Sequence, residues 1–221
     1  MSPIYNPASA STSTQADEEY FTEIGILTAS MSKLVDGSID YQAFDSTGGA
    51  AISITDSVAK SDSSTAYSFA AYDVSGKTKI LFLSYMHLGA QTIPGGLGIH
   101  DSTTYGPLGT GGASNKDLYQ MGIFDNEISL YKTTGATPTW TALSADTTIG
   151  YESIAHTTAA NGLAIYADGT DVKTWVKLGS TGQWIPINSV SDSSHVNYDE
   201  VYLRYNGLNA RFITPVYCWG S

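Results

Sequence analysis

The chain has few charged residues and fewer cationic ones. Only 14% of its 221 residues are Asp, Glu, Lys or Arg, against roughly 25% in ordinary soluble domains, and Lys plus Arg number 10 against 21 acids. A formal net charge of -11 argues against any partner held through clustered phosphates, so neither nucleic acid nor membrane insertion is expected. The single cysteine, Cys218, excludes an internal disulfide framework. The opening MSPIYNPASASTSTQADEEY has neither the basic start nor the apolar run of a signal peptide, and no Asn-x-Ser/Thr acceptor occurs. These features point to maturation in a reducing cytosol. No apolar run approaches the roughly 18 residues of a membrane helix, and the longest, Ile80–Leu83, is strand-sized. No window from Glu23 on keeps a helical period over three turns, and no fixed-period repeat supports a solenoid or propeller.

What is present is Gly, Ser, Thr and Tyr, with 22 glycines and 15 tyrosines. β-branched and aromatic residues recur in short runs from Glu23 on, and these predict strands almost throughout. The candidates are Glu23–Leu27, Ser38–Phe44, Ala50–Ile54, Thr65–Tyr72, Lys79–Met86, Gly96–Ile99, Leu118–Phe124 and Glu127–Thr133. Trp140–Ala142, Ser153–Thr157, Leu163–Ala167, Thr174–Leu178, Ile185–Ile187, Glu200–Tyr205 and Ala210–Tyr217 complete the set. Clean alternation over Tyr67–Tyr72 and Val201–Tyr205 predicts sheets with two unlike faces. Asp73–Gly76, Asp125–Asn126, Asp168–Gly169 and Asn206–Gly207 read as hairpin turns. The fold expected is all-β: a two-sheet antiparallel β-sandwich over residues 23–221, preceded by an extended N-terminal arm over residues 1–22. Ile4 and Tyr5 are candidates for an anchoring patch on a neighbouring subunit, a floppy terminus being the alternative.

Several motifs carry a chemical reading beside a plainer one. Ala71–Thr78 fits a relaxed nucleotide-loop pattern, but the strand-like Lys79–Leu83 stands where a phosphate-binding helix is needed. Asp125 and Glu127 have the spacing of glycosidase carboxylates on one strand face, and equally that of a hairpin tip. His87, His100, His156 and His195 show no metal-ligand spacing, and adjacent His100, Asp101 and Ser102 cannot converge as a triad. Asp168 and Asp171 offer two carboxylates to calcium without the further ligands of a dedicated loop; no other cofactor is expected. Trp140, Trp175, Trp184 and Trp219 read either as a sugar-stacking platform or as core and interface, with Trp175 and Trp184 the pair singled out. The Gly-rich loop from His100 to Lys116, carrying Tyr105, is the candidate contact loop.

The segment from His156 to Gly169, followed by Val172 and Trp175, resembles the central strand pair of concanavalin A-like, laminin-G-like jelly rolls. Tyr198–Asn206 resembles their late strand. The resemblance implies a two-sheet jelly roll. The family's early acidic metal ligands and adjacent Asn are not placed in this sequence, so its lectin activity is not carried over. Ser2–Pro7 and the small-residue stretch after it resemble the start of bacteriophage tail-fibre or head-appendage subunits. That resemblance implies a homo-oligomeric, non-enzymatic virion protein, assembled in the host cytoplasm and docked to other virion proteins by its arm. The alternative is a glycan-binding adhesin using Trp175, Trp184 and Tyr105 on host-surface carbohydrate; a glycoside hydrolase comes third.

Overall fold

A computed structural model describes residues 7–37, 42–45, 52–55, 58–61, 67–88, 95–101, 117–124, 127–135, 139–144, 147–148, 161–179, 182–206 and 210–221. Among them one helix, α1 (Pro7–Glu23), precedes two antiparallel sheets. Sheet A runs β14 (Trp184–Ser191), β13 (Asp171–Lys177), β12 (Asn161–Ala167), β6 (Ile80–Leu88), β16 (Ala210–Gly220), β4 (Val58–Ser61) and β3 (Ile52–Thr55), with β1 (Ser32–Asp36) also on β16. Sheet B runs β10 (Thr139–Ala142), β9 (Glu127–Thr134), β8 (Asp117–Phe124), β7 (Gly95–Asp101), β15 (Tyr198–Asn206), β5 (Tyr67–Lys77) and β2 (Gln42–Asp45), with β11 (Thr147–Thr148) also on β9. The expected all-β sandwich is the fold observed.

Strand periodicity decides what lies between the sheets. On sheet B, Leu203, Leu97, Met121 and Leu130 form one cross-strand row and Val201, Ile99 and Tyr119 the next. They meet Phe82, Leu163, Ile165, Val176 and Cys218 of sheet A in one buried cluster. Each fully buried large apolar side chain here contributes roughly 1.5–3 kcal/mol. Cys218 is itself fully buried, and burial pushes its thiol up, so it serves as a small apolar core residue.

The segment expected as an extended arm is instead helical from Pro7, and Pro7 suits the first helical position, where no amide is required. Its last turns lie on the outer face of sheet A, where Phe21, fully buried, meets Trp175 edge-on at 5.3 Å and Trp184 at 5.2 Å. Glu23–Leu27, expected as a strand, is the helix end. Gly25, at φ 75°, donates to the Thr22 carbonyl, and the Ile26 amide reaches back to Phe21. This is a Schellman cap whose apolar contact joins buried Ile26 to Phe21. Ile4 and Tyr5 lie outside the described residues.

Two turns also differ from expectation. Asp73–Gly76 is a bulge within β5, where Ser75 sits at φ 54° and its amide donates to Asp73 Oδ1 at 2.8 Å. β5 then passes to β6 in the other sheet, and β15, ending at Asn206, likewise continues as β16 across the sandwich, so neither link is a hairpin. The Asp168–Gly169 hairpin is present between β12 and β13. Ser153–Thr157 and Asp125–Asn126 lie outside the described residues.

The β14–β15 connection is tied to sheet B by Asp192, which accepts from Lys132 Nζ at 2.5 Å, Tyr119 Oη at 2.6 Å and the Ser194 amide at 2.9 Å. Burial alone would raise the Asp192 carboxyl, but these bonds hold it well below the usual carboxylate range. Beside it His195 is buried, its Nε2–H donating to the Thr133 carbonyl at 2.9 Å. Burial lowers the His195 pKa, outweighing the nearby Asp117 carboxylate. The folded chain therefore binds that proton less readily than the unfolded chain, whose histidine titrates near about 6.5. Stability is full above that pH and declines below it. Urea midpoints at pH 7.5 and 5.5 check this: the fall expected for the native chain shrinks in His195→Gln.

Candidate functional site

The aromatic pair singled out from sequence lies beneath the chain's own helix. Trp175 and Trp184 are 4% and 6% exposed, held beneath α1 in a second cluster with Tyr85, Tyr217 and Trp219. Their place on the outer face of a sheet is what a stacking platform needs, but α1 covers that face. Tyr105 lies outside the described residues, as does the loop from Ser102 to Lys116. Asp168 caps its own hairpin, Oδ1 accepting from the amides of Thr170 and Asp171 and from the Thr170 hydroxyl, and Oδ2 from Tyr166 Oη. Asp171 accepts from the Ser191 hydroxyl and stands 3.3 Å from Lys173 Nζ. Both carboxylates, weak candidates for calcium in the sequence, are thus engaged by the hairpin's own donors, with a cation beside Asp171. Among the described residues no group of three or more His, Cys, Asp or Glu gathers to hold a metal.

The residues that do come together lie on the outer face of sheet B. Register places Glu200, His100, Leu118, Thr133 and Trp140 in one row across β15, β7, β8, β9 and β10. Tyr202, Gly98, Gln120 and Tyr131 form the next row, and Arg204 lies in the one beyond. An outer face is ordinarily wet and charged. Here His100, Leu118, Gln120, Thr133 and Tyr202 are each 0% exposed and Arg204 is 8%, so the face is a polar surface withdrawn from water.

Its contacts are specific. His100 Nδ1 lies 2.7 Å from Glu200 Oε2; a carboxylate oxygen accepts, so Nδ1 carries the proton and Nε2 is the second nitrogen left over. Tyr202 Oη donates to Gln120 Oε1 at 3.3 Å. Burial pushes the Tyr202 phenol far up, the Arg204 charge opposing it only in part, so this hydroxyl remains a donor. The Arg204 guanidinium sits 5.1 Å from the centre of the Trp140 ring, and Tyr131 meets the same ring edge-on at 6.2 Å. Trp140 is the exposed member of the four tryptophans, at 36%. The surface thus joins a half-open indole, whose position guanidinium and phenol set, to a sheltered strip of hydrogen-bonding groups. Such a pairing suits a ligand with both C–H faces and hydroxyl edges.

Of this constellation the sequence marked Trp140 as one of four tryptophans and His100 as a loop entrance. Glu200 and His100 are a hundred positions apart and meet only through β7–β15 pairing. A periodic signal was present: alternate residues Glu200, Tyr202 and Arg204 share a face, yet alternation does not reveal which face carries a site. Of the hydrolase carboxylates, Asp125 lies outside the described residues and Glu127 opens β9.

No protein-family model matches the chain, nor does any curated protein. Solved structures do match in fold. The exoplasmic/lumenal domain of VIP36, in a form bound to Ca2+ and Man3GlcNAc, is 10% identical, with a TM-score of 0.56 over 85% of this chain and 86% of that one. Lectin II from Ulex europaeus is 10% identical, with a TM-score of 0.51 over 85% of this chain and 95% of that one. The carbohydrate-binding module CBM66 from Bacillus subtilis is 11% identical, with a TM-score of 0.50 over 81% and 95%. At these identities the likeness is one of fold, a lectin-like jelly roll, as the concanavalin A-like resemblance implied.

Proposed function

We propose that the chain is a non-catalytic carbohydrate-binding module, with the sugar held on the outer face of sheet B and stacked at its open end on Trp140. The observation that carries this reading is the joining of that half-exposed indole to the sheltered strip of His100, Gln120 and Tyr202 on one face. Pyranose rings present C–H faces to an aromatic and hydroxyls to polar neighbours, so both halves of the surface have a use. The sugar-binding domains similar in fold add support, VIP36 among them in a form bound to Man3GlcNAc. A virion-surface role has less behind it. The described end of the N-terminal segment buries Phe21 against its own sheet, and the anchor residues Ile4 and Tyr5 lie outside the described residues. The similar structures named are sugar-binding domains rather than virion proteins.

A glycan array probed with the native chain is expected to give binding, and Trp140→Ala to weaken it about tenfold, the loss of one well-placed aromatic contact. The melting temperature should hardly move, because β10 is an exposed edge strand. A blank array sinks the reading, as does release of new reducing ends from a bound glycan, which would make the protein a hydrolase.

A further inference from the structure

Among the described residues, two buried nitrogen atoms on the outer face of sheet B have no hydrogen-bond partner: His100 Nε2 and Gln120 Nε2. Both side chains are 0% exposed. His100 pairs with Leu118 and Gln120 with Gly98, so the two residues are diagonal neighbours on adjacent strands, pointing the same way. Burying an unpaired polar group is costly, and two on one patch call for a common explanation.

Their polarities differ, and the difference carries information. Glu200 fixes the proton on His100 Nδ1, so in the neutral imidazole Nε2 offers a lone pair. Tyr202 occupies the Gln120 carbonyl, so the amide nitrogen offers N–H. One acceptor and one donor side by side complement a group that both donates and accepts. We infer that His100 and Gln120 form a hydroxyl-recognition pair, selecting a neutral sugar hydroxyl over a carboxylate or sulfate at that position. This rests on the carbohydrate-binding reading and specifies its ligand class. An anion has no proton to give His100 Nε2, and it would face Glu200 at 2.7 Å from the same ring, with Asp73 next in the row on β5. Arg204, a cation on this face among the described residues, is two residues from Tyr202 and is engaged over the Trp140 ring.

The test uses the full chain and methyl glycosides of glucose, galactose and mannose, with the corresponding uronates and singly deoxygenated glycosides, followed by calorimetry. A neutral glycoside is expected to bind, its uronate at least about tenfold weaker, and one deoxy analogue to be rejected at least as strongly. His100→Phe and Gln120→Met should each cost about tenfold in affinity. Tyr202→Phe, which unlocks the Gln120 amide while keeping the ring, should cost less and guards against a folding defect in the other two. Uronates bound as tightly as neutral glycosides overturn the inference. So do variants that lose stability but keep native affinity, which would make the pair the seat of a structural water. If the native chain binds a glycoside that every variant also binds, this inference alone falls; if it binds none, the carbohydrate reading falls with it.

Discussion

Asp17→Ala should destabilise the protein by about 3–5 kcal/mol, the usual cost of stripping one partner from a buried ion pair. Asp17 is 1% exposed, and it is the point where α1 is fastened to sheet A. Its Oδ1 accepts from Lys177 Nζ at 2.8 Å and from Trp184 Nε1 at 2.9 Å, while Oδ2 accepts from Tyr85 Oη at 2.5 Å. Alanine would take this acceptor away from three buried donors, one of them a cation 5% exposed. The pair need not be worth that much in itself, because desolvation offsets most of the attraction between the two ions. Asp17→Ala combined with Lys177→Met should therefore recover most of the loss. A denaturant midpoint for the single variant equal to that of the native chain would refute the account. Where the helix detaches without global unfolding, Trp175, Trp184 and Trp219 become exposed and a hydrophobic dye should bind.

The same fastening explains why the helix could not be read from sequence. A surface helix announces itself by an apolar stripe over several turns, and among the described side chains of α1 the apolar contact is buried Phe21 with part-buried Tyr20 beside it, and Asp17 one turn before. An aspartate at the centre of a helix–sheet contact reads as a solvent-facing residue until Lys177, Trp184 and Tyr85 are placed around it. The clearer signal was the cap, since Gly25 followed by Ile26, with Phe21 five residues earlier, is the pattern of a Schellman end. By contrast, Val201-Tyr202-Leu203-Arg204 and the Asp168–Gly169 turn showed strand and hairpin directly, because a period of two and a capped turn are local properties. The candidate site fell between these cases. The residue types were visible, but Trp175 and Trp140 sit on alternating strands of similar composition, and only the covering of one sheet by α1 decides which indole remains open.

Gly98→Val should break the stability of sheet B and the recognition strip together. Tyr202 on β15 and Gln120 on β8 flank Gly98 on β7, and the Tyr202 ring crosses the intervening strand to bring its hydroxyl within 3.3 Å of Gln120 Oε1. A Cβ at position 98 would stand 1.9 Å from Tyr202 Cζ, inside any contact distance, so the aromatic ring must leave or the strands must part. Overpacking of this kind costs roughly 1–3 kcal/mol. The larger consequence is chemical: beyond releasing the Gln120 amide, as Tyr202→Phe does, the displaced ring and the added valine crowd the strip itself, and glycan binding should fall by at least the tenfold expected of Gln120→Met. Removing the obstacle is the decisive control, since Gly98→Val with Tyr202→Leu should regain stability while staying defective in binding. If the double variant recovers both, Tyr202 has no part in recognition; if it recovers neither, the strain lies in the β7 backbone rather than against the ring.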